Sequence, residues 1–160
     1  MSMGEGCNSM QIWVDADACP SAIRDIIAKA AHKRTITTTF VANHSFSLPN
    51  SPFVKLYQVP SGFDEADKEI ERRVTGGDLV ITADIPLASD VLEKRALVLT
   101  PRGERYTENN IKQRLQMRDF METMRSSGAR TGGPPALSLT DRKHFSDQLD
   151  RLLTRALKQG

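Results

Sequence analysis

The chain has 160 residues, 39% of them hydrophobic and 26% charged, with a formal net charge of +2. That size and balance predict one globular domain with a full core. No apolar run approaches the roughly 20 residues that a membrane-spanning helix needs, which excludes such a helix. Two cysteines, Cys7 and Cys19, cannot build a disulfide framework, so a reducing cytoplasm is the expected compartment.

The charge is unevenly spread. Residues 1–100 carry a net −3 and residues 101–160 a net +5, a division that suits a metal-dependent site acting on a polyanion. Residues 1–9, MSMGEGCNS, are small and polar with no apolar signal region, and read as a leader or tag, with Met10 as the natural start. Residues 10–160 read as a single domain.

In chain order, Ile12 to Pro20 (IWVDADACP) is a short apolar strand that stops at Asp15 and Asp17 and gives way to a helix at Cys19-Pro20. Pro20 suits a first helical turn, and Ile23, Ile26, Ile27, Ala30 and Ala31 recur at helical spacing behind it. Thr35 to Ala42 is β-branched and predicts a second strand, with Asn43-His44-Ser45 at its end, and Phe53 to Val59 a third. A second helix is expected over Asp64 to Thr75. Phe63, Ala66, Ile70 and Val74 form its buried stripe, with Asp67 at the stripe's edge and Glu65 and Glu69 pointing into solvent. Gly76-Gly77 closes it. Asp78 then precedes the apolar strand Leu79-Val80-Ile81, which ends in Thr82-Ala83-Asp84. Pro86 opens a third helix, and Ala96 to Leu99 is a fifth strand. From Thr100 the chain turns basic: a polar loop with Arg102 and Arg105, a helix from the capping residue Thr107 to about Arg125, the Gly128 to Pro135 loop, and a last helix over about Leu139 to Lys158. Arg114, Arg118 and Arg125 share one face of the fourth helix.

This order predicts a three-layer, Rossmann-like α/β domain with a mainly parallel five-stranded sheet and a helical C-terminal extension from about residue 107. Strand ends distant in sequence meet on one edge of such a sheet. Asp15, Asp17 and Asp84 are therefore expected together, with Asp67 bordering them. Carboxylates so gathered repel unless a divalent cation neutralises them, and hard oxygen ligands select Mg²⁺ or Mn²⁺. His32, His44, His144 and the two cysteines form no zinc spacing. Cys19 at a helix N-terminus is expected to have a lowered pKa but, with no histidine paired in its motif, reads as a small packing residue, and Trp13 reads as core.

Seven segments (VDADACP, the strand end at Asn43, SGFDEADKEI, GDLVITADIPLA, PRGERYT, RLQMRDFM and TGGP) together closely resemble the YaiI/YqxD family of small uncharacterised bacterial proteins. The resemblance covers nearly the whole chain from Met10. That family is grouped with PIN-like nuclease domains. The resemblance therefore implies an acidic, metal-binding cleft, with Asp15, Asp67 and Asp84 as catalytic acids and metal ligands, and Asp17, beside Asp15 at the strand end, is read as a further ligand. Asn43, Asp64, Asp78 and Thr82 would support them. In related nucleases a second acid often stands two residues after the one matched by Asp84; here that position is Pro86, so either Asp17 or Asp64 replaces it or the metal site is weaker.

Three functions suit these features. One is a metal-dependent nuclease acting on RNA or a single strand, with Arg102, Arg105, Arg114 and Arg118 on the substrate phosphates. Another is a non-catalytic RNA-binding or regulatory module. The third is a haloacid-dehalogenase-like phosphatase, for which WVDADA supplies the D-x-D but no suitably placed lysine follows. Nothing in the sequence fixes the oligomeric state.

Overall fold

Residues Ile12–Asp15 are all buried and form the strand β1, about which the rest of the sheet is built. The chain adds β2 (Thr38–Ala42), β3 (Val54–Gln58), β4 (Leu79–Ile81), β5 (Leu97–Leu99) and β6 (Arg105–Tyr106). The computed structural model describes residues 10–61, 65–126 and 137–159, except the side chains of 118–126 and 157–159. The expected leader, the Gly128 to Pro135 loop, Asp64, and the side chains of Arg118 and Arg125 lie outside the described residues.

The strands lie in the order β3-β2-β1-β4-β5-β6. The first five are mutually parallel, and β6 alone runs antiparallel to β5. Parallel neighbours need crossovers, and helices supply all but the β2–β3 one, which is a loop over residues 43–53: α1 (Ser21–Arg34), α2 (Glu65–Arg73) and α3 (Ile85–Glu93), with α4 (Glu108–Ser126) and α5 (Leu139–Gln159) following the sheet. An order of 3-2-1-4-5 is that of a Rossmann-like, doubly wound sheet, in which the chain reverses its direction of growth between β1 and β4.

Side chains alternate between faces along each strand, so the core has two halves. Ile12, Val14, Phe40, Ile81 and Leu99 meet Ile23, Ile27 and Ala31 of α1 and Phe145, Leu149 and Leu153 of α5. Trp13, Val41, Val80 and Val98 meet Ile70 of α2, Leu87 and Val91 of α3, and Ile111 of α4. Trp13 and Cys19 are core residues, each 6% exposed.

Three details depart from expectation. The second strand begins at Thr38 and not Thr35, because Thr35 adopts a left-handed conformation (φ 54°) that closes α1 while Ile36 donates to the Ala31 carbonyl. The sheet has a sixth strand where a loop was expected. Thr100 donates to the carbonyl of Glu104, and Gly103 (φ +88°) to that of Thr100, which folds the chain back for a two-residue pairing too short to leave a periodic signal. Glu69 is not solvated; it is buried beneath Arg72 and Arg73, whose side chains bend back over it from positions i+3 and i+4. The Arg72 hydrogen bond, ahead of that from Arg73, holds its carboxyl below the usual range.

Candidate acidic site at the reversal of the sheet

Asp15 ends β1, and alternation puts its side chain on the Trp13 face. Thr82, directly after β4, shares that face with Val80. Its hydroxyl donates to Asp15 Oδ2 at 3.0 Å and accepts the Asp84 N–H at 3.0 Å. Asp84 Oδ1 in turn accepts the Leu87 N–H at 2.8 Å and caps α3, with Pro86 in the first helical turn, where its missing N–H costs nothing. A continuous chain of hydrogen bonds therefore ties the end of β1, the end of β4 and the start of α3 together at the point where the sheet reverses. Ligands of open α/β sheets bind there.

Asp15 is 7% exposed. Burial pushes its carboxyl up to about 6; the Thr82 hydrogen bond opposes this, and the charges of Asp84 and then Asp17 reinforce it. Oδ1 of Asp15 has no hydrogen-bond donor among the described residues and is not one of the buried atoms left without a partner, so it faces solvent.

Asp17 lies in the 3-10 turn Ala16–Ala18. The β1–β2 register pairs Asp15 with Val41 and so sets Asn43 opposite Asp17. The Asn43 N–H donates to both Asp17 oxygens (3.0 and 3.2 Å), and His44 Nδ1 stands 3.0 Å from Asp17 Oδ1 and 3.3 Å from Asn43 Oδ1. Asp67 is half-buried on the first turn of α2, beside the core residue Ala66. That helix packs across β1 and β2 on the same face. Asp78 lies at the opposite, amino-terminal edge. There it accepts from the Gln11 N–H (3.1 Å), Trp13 Nε1 (3.0 Å), and the N–H and hydroxyl of Thr75 (both 3.0 Å), a structural clamp between β1 and β4 remote from Asp15.

The arginines are mostly engaged. Arg102 Nη1 pairs with Asp141 Oδ2 at 2.6 Å, and Arg114 pairs with Glu104. Arg105 is half-buried; burial, then the nearby Arg155 charge, lowers its pKa, and its buried Nε has no partner among the described residues. Burial pushes the Cys19 thiol up to about 12, not down as its place at a helix N-terminus suggested, and leaves it inert.

Among the described residues no group of three or more His, Cys, Asp or Glu is disposed to hold a metal ion. A closed zinc site, with three or four protein ligands, does not fit this donor set. Mg²⁺ has a different requirement: one or two carboxylates, the rest of its octahedron being water and substrate phosphate. Asp15 and Asp84, close enough for the Asp84 charge to act on Asp15, fit that requirement.

His44 is a functional candidate that zinc spacing does not reveal. A signal was present: the second strand pairs with the first, and whatever follows Ala42 must stand beside Asp17.

Residues 13–155 match the model of a family described as Uncharacterized BCR, YaiI/YqxD family. A UPF0178 protein of Shewanella amazonensis is 60% identical over 149 residues, covering 93% of this chain and 100% of that protein. One of Colwellia psychrerythraea is 57% identical, over 93% and 99%, and one of Halorhodospira halophila 56% identical, over 94% and 100%. No solved structure matches the chain. No helix among the described residues is long and apolar enough to cross a membrane.

Proposed function

The chain belongs to the YaiI/YqxD family, and from the geometry of its acidic edge we propose that it is a Mg²⁺- or Mn²⁺-dependent phosphodiesterase acting on RNA or another single strand. The observation that carries this reading is Asp15: a nearly buried carboxylate at the reversal of the sheet, raised to about 6, with Asp84 and Asp17 as like-charged neighbours and its second oxygen open to solvent. A fold keeps such an arrangement at a cost unless a cation or a proton relieves it.

Asp15 and Asp84 would hold the cation. The chemistry it supplies when bound is neutralisation of the phosphodiester charge and acidification of a water. The chain's own residues do the rest. Thr82 fixes the Asp15 carboxylate by donating to Oδ2, and is itself oriented by the Asp84 N–H. Leu87 N–H restrains Asp84. Asp17, committed to Asn43 and His44, is removed from the ligand set and borders the substrate instead.

A labelled single-stranded RNA incubated with the protein and Mn²⁺ tests this reading. Cleavage by the wild type, reduced at least about a hundredfold in Asp15→Asn and in Asp84→Asn, is expected for loss of a group acting directly in catalysis. Asparagine at position 84 still caps α3, so that variant removes charge without removing the helix start. The absence of a three-acid group among the described residues favours a second reading, a non-catalytic RNA-binding module. Binding without cleavage, indifferent to Asp15→Asn, would establish it in place of the first.

A further inference from the structure

We propose that His44, held by Asp17, is the general base of this site, an inference that rests on the phosphodiesterase reading above. Both atoms near His44 Nδ1 are acceptors: Asp17 Oδ1 at 3.0 Å and Asn43 Oδ1 at 3.3 Å. A nitrogen facing two acceptors carries the proton, so the neutral ring has its lone pair on Nε2. Nε2 has no hydrogen-bond partner among the described residues, and the side chain is 58% exposed.

The ring is held and not merely tethered. Its centroid lies 5.7 Å from that of Phe46, tilted at 52°. Phe46 stands edge-on to the buried Phe40 at 6.3 Å, and the Arg24 guanidinium covers the Phe46 ring at 4.1 Å. Asp17 is equally fixed, because the Asn43 N–H donates to both of its oxygens. This is an acid that orients an imidazole, which presents an unpartnered nitrogen one strand away from Asp15 on the same sheet edge. An exposed surface pair needs neither the doubly held carboxylate nor the aromatic support.

The step balances without a redox partner. Nε2 takes a proton from water as the water oxygen bonds to phosphorus. The bond from phosphorus to the leaving ester oxygen breaks, and that oxygen takes a proton from solvent. The imidazolium then returns its proton to solvent.

The test measures single-turnover cleavage of a single-stranded RNA in Mn²⁺ by wild type, Asp15→Asn, His44→Ala, His44→Gln and Asp17→Asn. The wild type should cleave and Asp15→Asn should not. His44→Ala should lose about a hundredfold or more in rate with substrate affinity kept, and millimolar imidazole should restore part of it. His44→Gln, which keeps polarity without the base, should be as slow as His44→Ala. Independently of activity, nitrogen NMR shifts should report the Nδ1-protonated form in the wild type and its loss in Asp17→Asn. Wild-type rates in His44→Ala, a loss that imidazole leaves unrepaired, or an Nε2-protonated ring would each overturn the role of His44 while leaving the nuclease reading in place. A wild type that cleaves nothing overturns both.

Discussion

Asp15 is where the folded state has most to gain from losing a charge. Its pKa rises from the 3.8 of an unhindered aspartate to about 6, chiefly through burial. Well below pH 3.8 the group is protonated in folded and unfolded chains alike and contributes no difference. Between about pH 4 and 6 the unfolded chain ionises first, so stability falls with rising pH; by about pH 7 the penalty is complete. A rise of that size corresponds to about 3 kcal/mol. Asp15→Asn, which can still accept from Thr82, should stabilise the metal-free protein at pH 7 by up to about that much and change it little at pH 4, measured by urea unfolding at both values. A markedly destabilised variant at pH 7 would make Asp15 a structural acceptor. Asp78 is the contrasting acid. Its four hydrogen bonds leave it satisfied, and Asp78→Ala strands the buried Trp13 Nε1 with no acceptor. That should cost about 3 kcal/mol or more in the same assay. Sequence spacing placed both acids at strand boundaries but could not tell which boundary meets an indole and which meets another carboxylate. That distinction depends on strand direction and side-chain parity acting together.

At the level of elements, the early part of the chain was the most legible. A strand ending in acid, β-branched Thr38–Ala42 and the apolar triplet Leu79–Ile81 each announce themselves, and parallel pairing follows from the helices between them. The reciprocal cap of α4, in which the Thr107 and Asn110 N–H groups each donate to the other's side chain, was visible in Thr107 alone. Less visible was how α5 docks. Ser138 and Asp141 form a reciprocal cap at its start, and Arg102 reaches Asp141 from the β5–β6 turn. In that turn Gly103, at φ +88°, would place any Cβ 2.4 Å from His144 Cδ2 and 2.9 Å from the Phe145 N. The His144 side chain can swing away, but the Phe145 backbone can move only with the helix. Gly103→Ala therefore combines left-handed strain with a displaced α5, and should lower stability by several kcal/mol on the order of a core substitution. Faster hydrogen exchange at Phe145 to Leu149 than in α2 would locate the damage. An unchanged melting temperature would mean that α5 docks elsewhere. A contact between a loop and a helix about 40 residues on leaves no local pattern to read.

Over the whole molecule, the 12 lysines and arginines of residues 101–160 overstate the cations free to meet a polyanion. Arg114 is paired with Glu104, Arg102 with Asp141, and Lys143 with Asp147 at 3.0 Å, so three of them already face acids of the same segment. The affinity of a single strand falls with salt at a log–log slope of roughly −0.7 per phosphate neutralised. If Arg114 turns from Glu104 to a phosphate, the exchange releases little and the slope stays shallow. Removing the competing acid should expose the difference. Glu104→Gln is expected to tighten binding of a labelled single-stranded RNA at low salt and to steepen the slope by up to about 0.7, the value of one phosphate contact. Arg114→Ala should leave affinity nearly unchanged in the wild-type background and cancel the gain when combined with Glu104→Gln. This cycle separates a surface that contacts nucleic acid from one that is merely soluble, because a general increase in positive charge would survive the loss of Arg114 in the double variant. An identical slope in wild type and Glu104→Gln would take Arg114 off the binding surface. No binding by any of the four proteins at low salt would rule out nucleic acid as a partner and return the acidic edge to a smaller phosphoester.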